Sequence, residues 1–442
     1  MASDDLDRCL NRLFGLRRFG IRLGLGTIRT LLGRLGDPQR RYETIHIAGT
    51  NGKGSVAAGI AAVLRCAGYR VGLYTSPHLV RFNERIQVDG EPVGDREILA
   101  LYRRVERALP ALSREPTFFE FATAMAFDAF ARAGVEWAVI ETGMGGRLDA
   151  TNVITPRLAV VTNISLEHRE YLGATIAQIA AEKAGIVKRG RPVVTGIRQA
   201  PAWEVLCRTA ARRAAPVYRL GRDFRVRRTG AGRFDYRGIR HRFRGLQAGL
   251  AGEHQIVNAA LVAAACELLM PRAGRITEER LRAGLTATRW PGRLEQACAR
   301  PLVLLDGAHN LDASRALARH LKEAFPGRPL TLVVGILDDK PYGAMLRHLA
   351  PLAARVIATR AATPRALPAE TIAAAASRLA PRVDVRQTVA EALQEALRTV
   401  PEEGLVLVAG SLYVVGEAKA ALEGSLVPVS YTHLTLPTIY SV

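Results

Sequence analysis

Short apolar runs alternate with longer segments of helical period along most of this chain. Thr44 to Ala48 (TIHIA), Arg70 to Tyr74 (RVGLY), Glu136 to Glu141 (EWAVIE), Leu158 to Thr162 (LAVVT) and Pro192 to Thr195 read as buried strands. Short apolar stretches bounded by polar turns suit strands covered on both faces. Ser55 to Ala67, Phe118 to Ala133 and Thr175 to Val187 carry apolar or small residues at helical spacing and read as helices between them. This alternation predicts a parallel α/β sheet with ligands at the carboxyl ends of its strands. A β-rich, arginine-dense stretch follows around Phe224 to Phe243, then helices over Gln255 to Leu269 and Thr277 to Leu285.

The segment RWPGRLE, Arg289 to Glu295, interrupts the pattern with a Pro-Gly pair. Beyond it the alternation resumes, with strands at Leu302 to Leu305, Thr331 to Val334, Arg355 to Thr359 and Leu405 to Val408. We therefore expect a larger domain over residues 1–296 and a smaller Rossmann-like α/β domain over 297–424, the latter without a second glycine-rich phosphate loop. Residues 425–442 (SLVPVSYTHLTLPTIYSV) carry no charge, against 23% charged residues overall, and are set aside as an artefactual or disordered tail.

Candidate chemistry concentrates behind the first strand. AGTNGKGS, Ala48 to Ser55, places a lysine inside a glycine-rich turn that feeds a helix. Free amides and the helix dipole stabilise a phosphate there. Gly49, Gly52 and Gly54 let the backbone come close, Lys53 can reach the β and γ phosphates, and the Ser55 hydroxyl suits magnesium. Only Thr50 and Asn51 separate Gly49 from Gly52, fewer than in the common loop, and a plain strand-to-helix turn is the bland alternative. Glu141, at a strand's carboxyl end, can supply a hard oxygen to a divalent ion. Ser76 and His168 are weaker candidates by themselves. LLDGAHN, Leu304 to Asn310, puts Asp306 and His309 behind a strand of the second domain.

Composition narrows the classes. A chain of 442 residues with 48% hydrophobic positions can bury the cores of two or three domains. No run of eighteen uncharged apolar residues occurs, and MASDDLDRCL lacks a signal-peptide profile, so a cytoplasmic protein is expected. Five scattered cysteines read as reduced, structural thiols. The net charge of +21 is spread along the chain without aromatic interleaving. Neither nucleic acid nor membrane is expected as a partner, and anionic substrates benefit secondarily. Of the 62 basic residues 56 are Arg and six are Lys, which draws attention to Lys53, Lys183, Lys188 and Lys340 in motif-like segments. A guanidinium cannot replace an amine that must act as a compact charge or react covalently.

Taken together, AGTNGKGS, YTSPHLVRFNERI, ETGMGGRLDATN, LEHREYLG, AEKAGI, WPGR, DGAHN and GSLYVVGE occur in an order that resembles the folylpolyglutamate synthase and dihydrofolate synthase family of Mur ligases. The resemblance spans residues 15 to 420, and Phe19 to Gln39 is similar to the family's opening helix and pterin-side loop. It implies a P-loop-containing, Mur-ligase-like ATPase domain followed by a smaller Rossmann-like one. It also implies an ATP-dependent ligase that joins L-glutamate to dihydropteroate or a reduced folate through an acyl phosphate, releasing ADP and phosphate. ATP and Mg2+, as two ions, would be the cofactors, and the protein a monomer.

Residue by residue, the resemblance implies that Thr50, Asn51, Gly52, Lys53, Gly54 and Ser55 hold phosphates and that Ser76, Glu141 and His168 join Ser55 around magnesium. Lys183 matches a carbamylated lysine, whose bland alternative is a helix-surface lysine paired with Glu182. Asn258, Arg293 and Asp306 would contact the nucleotide. Phe118, Phe119, Glu120, Leu148, Asp149 and Ala150 resemble the pteroate pocket, with ordinary helix packing an equal alternative for the two phenylalanines. His309 and Ser411 match the glutamate side. The chain departs from the family in having Glu167 for the usual Asp, Gly26 for an acidic residue and Arg169 for a small polar one, which bears on substrate preference more than on the reaction. Cell-wall Mur ligases would need a UDP-binding domain ahead of the loop, and 47 residues precede Ala48. A non-ligase nucleotide-binding protein leaves WPGR and DGAHN unexplained.

Overall fold

Two sheets absorb the apolar runs, one in each of two compact units. The structure is a computed structural model that describes residues 2–16, 24–112 and 114–424. The expectations for the start of the Phe19 to Gln39 segment and for residues 425–442 lie outside the described residues.

In the first unit the elements run α1 (Ala2–Gly15), α2 (Gly26–Arg34), β1 (Glu43–Ala48), α3 (Lys53–Cys66), β2 (Val71–Tyr74), β3 (Ile86–Val88), β4 (Glu91–Pro92), α4 (Asp95–Ala108), α5 (Phe118–Ala133), β5 (Trp137–Glu141), β6 (Leu158–Val161), α6 (Arg169–Leu172), α7 (Ile176–Ala184), β7 (Val193–Thr195), α8 (Ala200–Arg212) and β8 (Val217–Arg219). A three-stranded antiparallel sheet, β9 (Arg225–Arg228), β10 (Arg233–Arg237) and β11 (Arg242–Gln247), precedes α9 (Glu253–Leu269) and α10 (Glu278–Ala287). The main sheet has the order β4-β3-β2-β5-β1-β6-β7-β8, parallel except for the β3–β4 edge. Its central strands β1, β5 and β6 are buried on both faces, which explains their unbroken apolar runs.

Central β1 sets the geometry of the site. It pairs with β5 through Ile47 opposite Glu141 and with β6 through Ala48 opposite Val161. The loops leaving β1, β5 and β6 therefore start side by side. Behind β1, α3 carries Gly59 where α9 lies directly against it. A Cβ on Gly59 would stand 2.7 Å from Val262 Cγ2. On the α5 side, Leu31, Ile98 and Phe127 from α2, α4 and α5 share one core.

The second unit contains β12 (Glu295–Ala299), β13 (Leu302–Leu305), α11 (Leu311–Ala324), β14 (Leu330–Val334), α12 (Tyr342–Leu349), β15 (Arg355–Ala358), α13 (Ala369–Ala376), β16 (Val383–Val385), α14 (Val389–Thr399), β17 (Leu405–Ala409) and α15 (Leu412–Leu422). Its order is β12-β13-β17-β14-β15-β16, with β12 antiparallel at one edge. Side chains of α11, α12 and α13 fill one core and those of α14 and α15 another. The chain thus reverses at β17, and the carboxyl ends of β13, β17 and β14 form the switch point where α/β sheets bind ligands.

The units divide at Arg289 and Trp290, ahead of the boundary at 297 expected from the sequence, and residues 79–81 and 250–254 group with the second unit. The reason is local to that unit. The Gly292 amide donates to Glu295 Oε2 at 2.8 Å, Leu294 N donates to Asp306 Oδ2 at 2.9 Å, and β12 already pairs with β13.

Candidate active site

The phosphate loop is stitched to the exit of β6. Asn51 N donates to Asn163 Oδ1 at 2.9 Å, and Asn163 Nδ2 and Thr162 Oγ1 both donate to the Asn51 carbonyl, at 3.0 and 2.7 Å. Ser165 N donates to Thr50 Oγ1 at 2.9 Å. Gly52 caps α3 with φ of +81°, and a Cβ there would lie 2.6 Å from Asn258 Oδ1. Glycine is thus required at 52 both by conformation and by the nearness of α9. The turn leaves the first amides of α3 without helical partners and ready for an anion.

Lys53 Nζ donates to Thr50 O at 3.1 Å and stands 3.9 Å from Glu141 Oε1. Glu141 is buried at the end of β5 and accepts from Ser76 N at 3.3 Å. Ser55 Oγ accepts from Gln255 Nε2 at 3.3 Å, and Gln255 Oε1 accepts from Asn258 Nδ2 at 2.8 Å. Lys53, Ser55, Ser76, Glu141 and Asn258 are therefore joined around one loop. His168 is exposed at the start of α6 with φ of +51°. Among the described residues no three His, Cys, Asp or Glu side chains gather as a metal cluster. The donor set around the loop, serine hydroxyls and one carboxylate, fits magnesium, which keeps several of its waters and asks few ligands of the protein.

Lys183 is buried in α7 with 4% of its surface exposed, and its Nζ donates to the Gly49 carbonyl at 2.7 Å. Burial, then the charge of Lys53, lowers its pKa to about 7, while Glu167 and Asp149 pull the other way. Glu182 instead pairs with Arg147 at 2.8 Å, so the surface-lysine alternative falls.

Asp149 is fastened inward. Its carboxylate accepts from Met144 N at 2.9 Å and from Thr151 N at 3.0 Å, and Thr151 Oγ1 meets His46 Nε2 at 2.8 Å. Burial raises the Asp149 pKa and lowers that of His46 to about 3. Ala150 is buried beside it and Leu148 partly so. Glu120 is also occupied. It is buried, completes a capping box with Thr117 at the start of α5, and pairs with Arg114 at 2.9 Å. The two half-buried phenylalanines serve different sides. Phe119 lies 6.0 Å from Tyr74 and covers Gly143, at which a Cβ would stand 2.5 Å from Phe119 Cζ. Phe118 stacks on Phe14 at 5.7 Å beneath the Arg85 guanidinium at 5.1 Å.

In the second unit, Asp306 accepts from Leu294 N and from Ala308 N, both at 2.9 Å, and so ties WPGR to DGAHN. Arg293 Nη1 donates to Gly292 O at 3.0 Å. His309 Nδ1 lies 2.8 Å from Gly307 O, and Ser411 caps α15 by accepting from Val414 N at 3.1 Å. Gly410 N donates to Ala308 O at 3.1 Å, which draws the loops after β17 and β13 together.

The sequence matches the Mur ligase middle domain over residues 47–266 and the Mur ligase glutamate ligase domain over 292–412. The Bacillus subtilis dihydrofolate synthase/folylpolyglutamate synthase is 38% identical over 421 residues, covering 93% of this chain and 97% of that protein. The chain belongs to the folylpolyglutamate synthase and dihydrofolate synthase family. A Mycobacterium tuberculosis folylpolyglutamate synthase complexed with ADP superposes with a TM-score of 0.88 at 36% identity, over 96% of this chain and 99% of that one. Escherichia coli FolC in complex with DHPP and ADP gives a TM-score of 0.86 at 29% identity, over 94% and 98%. The expected fold class and the assignment as an ATP-dependent ligase therefore hold.

Within this synthase-family chain several neighbours of the site are assigned no role by motif or spacing. Gln255 bridges Ser55 and Asn258, and only its place one turn before Asn258 hinted at it. Phe14, His78 and Arg85 join Phe118, with Arg85 Nε donating to His78 Nδ1 at 2.7 Å. Lys340, singled out by lysine scarcity but given no role, follows β14 with 8% side-chain exposure and lies 3.2 Å from Asp339.

Proposed function

We propose that this chain joins L-glutamate to the carboxylate of dihydropteroate, of a reduced folate, or of both, using ATP. The observation that carries the reading is the union of Lys53, Glu141 and Lys183 about one phosphate loop at the carboxyl ends of β1, β5 and β6. The amides from Gly52 to Ser55 hold the phosphates, those of Thr50 and Asn51 being already given to Asn163 and serving to shape the loop, and Asn258, Arg293 and Asp306 are the nucleotide contacts that the family resemblance implies. The γ-phosphoryl group leaves ADP and bonds to an acceptor carboxylate oxygen, giving an acyl phosphate. The glutamate amine then attacks the acyl carbon, the C–O bond to phosphate breaks, and the amine loses a proton. Lys53 offsets charge on the moving phosphoryl oxygens, since this chemistry depends mostly on positioning and electrostatics.

Ser55, Ser76, Glu141 and His168 would hold magnesium as two ions, whose chemistry is to neutralise phosphate oxygens and align them. A Lys183 amine titrating near 7 is substantially neutral at physiological pH, as carbamate formation with carbon dioxide requires. The carbamate would place an anion beside the loop. Phe118, Phe119 and Leu148 to Ala150 line the acceptor side, with Glu120 and Asp149 setting its backbone. His309 and Ser411 receive glutamate at the switch point of the second unit. The protein acts as a cytoplasmic monomer on small molecules, without nucleic-acid or membrane partners. Among the described residues no helix is long and apolar enough to cross a membrane.

The test is phosphate release with ATP, magnesium and L-glutamate, adding dihydropteroate or tetrahydrofolate and confirming product mass. Release with both acceptors assigns both activities, and release with one assigns the narrower. No release with either would overturn the reading.

A further inference from the structure

The outer face of the three-stranded sheet carries a row of like charges. Phe234, Tyr236, Phe243 and Leu246 are buried on its inner face, so alternation sends Arg225 and Arg227 of β9, Arg233, Asp235 and Arg237 of β10, and Arg242 and Arg244 of β11 outward. Asp235 faces Arg227 across the strands and pairs with it at 2.7 Å, an ordinary complementary pair. One step along the sheet, Arg237 stands directly opposite Arg225 on one side and Arg242 on the other. These three exposed arginines form no ion pair among the described residues. Like charges placed directly opposite are destabilising, and an anion bridging the three guanidinium groups would offset that repulsion.

The support beneath the row is rigid. Tyr236 Oη and the amides of Ile239 and His241 all donate to the buried Glu267 carboxylate on α9, at 2.7, 3.0 and 2.7 Å. The same helix presents Asn258 to Gly52 of the phosphate loop, nine residues and roughly 14 Å of helix axis away from Glu267. We propose that the outer face of β9, β10 and β11 binds a poly-γ-glutamate chain, the anionic tail carried by the ligase's own acceptors and products. The choice of this ligand rests on the function proposed above. Arginine forks take carboxylates bidentately, and a row of three spaced by the strand separation matches a ligand with repeated carboxylates. A single-stranded nucleic acid fits less well, because sheet faces that bind it offer exposed aromatic rings, and the aromatics of these strands all point inward.

The experiment uses a fluorescently labelled γ-linked pentaglutamate without folate, titrated with full-length protein at low salt and followed by anisotropy. The Arg225→Ala, Arg237→Ala, Arg242→Ala triple variant should bind about tenfold more weakly or worse. A control triple, Arg189→Ala, Arg208→Ala and Arg212→Ala, removes the same charge from exposed sites elsewhere and should stay within about twofold of wild type. Arg237→Glu should abolish peptide binding while raising the melting temperature, since it turns the repulsive row into a complementary one. Equal weakening by both triples, no weakening by the first, or a lowered melting temperature for Arg237→Glu would overturn the proposal. Tighter binding of a single-stranded RNA oligonucleotide, lost with the same triple, would overturn the choice of ligand. Peptide binding needs no turnover, so a protein that binds the peptide yet releases no phosphate would fail the functional reading alone.

Discussion

Lys183 Nζ lies 2.7 Å from the carbonyl oxygen of Gly49, a residue 134 positions earlier in the chain. The last turn of α7 thereby holds the start of the phosphate loop with a buried amine whose pKa is lowered from 10.5 to about 7. Between those two values the unfolded chain binds a proton that the folded one does not, so the Lys183 contribution to stability rises with pH across this window. Below it the buried charge is a full penalty. Lys183→Met removes the titration, so wild-type stability relative to the variant should climb from about pH 7 to about pH 10 in denaturant melts. Parallel curves for the two proteins would show that the amine is not depressed.

Lys53→Ala should lower phosphate release by on the order of 100-fold or more, the usual loss when one electrostatic partner of a transition state is removed. The fold should hold, because the Lys53 amine bonds at the loop itself, to Thr50 O, and not in a core. Full activity with an unchanged melting temperature would take Lys53 out of the reaction. Lys183→Ala should be impaired and partly rescued by small carboxylates, which can stand where the carbamate anion would.

Gly52→Ala tests the tightness of the loop. A non-glycine residue in the left-handed region costs about 1–2 kcal/mol, and here the added methyl would also meet the Asn258 side chain. The variant should melt lower and bind ADP more weakly. Adding Asn258→Ala removes the collision but leaves the backbone cost, so part of the melting temperature should return. Complete recovery would mean that the conformation at 52 carries no strain.

Much of the scaffold was readable because local signals agreed with the tertiary structure. Phe118–Ala133 emerged with its ends intact, since Thr117 and Glu120 form a capping box and Gly134 takes the left-handed conformation that stops the helix. Leu302–Leu305 was equally plain as an apolar run. α4 is hard to read from the sequence, although Ile98, Leu101, Tyr102 and Val105 are buried at helical spacing, because its many charges mask the stripe. β12 (EQACA) has little apolar pattern because it is an edge strand with mostly exposed positions. The phosphate loop and Glu141 sit at strand ends and could be found locally. The Gln255 bridge to Ser55 spans 200 positions, and the inward bonding of Asp149 depends on how its loop folds back. Spacing along a sequence carries neither.

Glu120 and Phe119 are adjacent in sequence and should separate by experiment. The Glu120 carboxylate already accepts from Thr117 N at 2.8 Å and pairs with Arg114, while the half-buried Phe119 ring leans over Gly143 on the loop that Asp149 fixes. Glu120→Ala removes the capping box and leaves Arg114 unpaired, which should cost roughly 1–3 kcal/mol and lower the melting temperature. Its KM for the acceptor should stay within about twofold, since a residue that does not touch substrate contributes no uniform binding. Phe119→Ala should behave in the opposite way, raising the acceptor KM severalfold out of proportion to its effect on melting, because it removes apolar surface from the side where the pterin or benzoyl ring would lie. A Glu120→Ala variant that melts normally but binds the acceptor poorly would put its carboxylate in contact with substrate rather than in the helix cap.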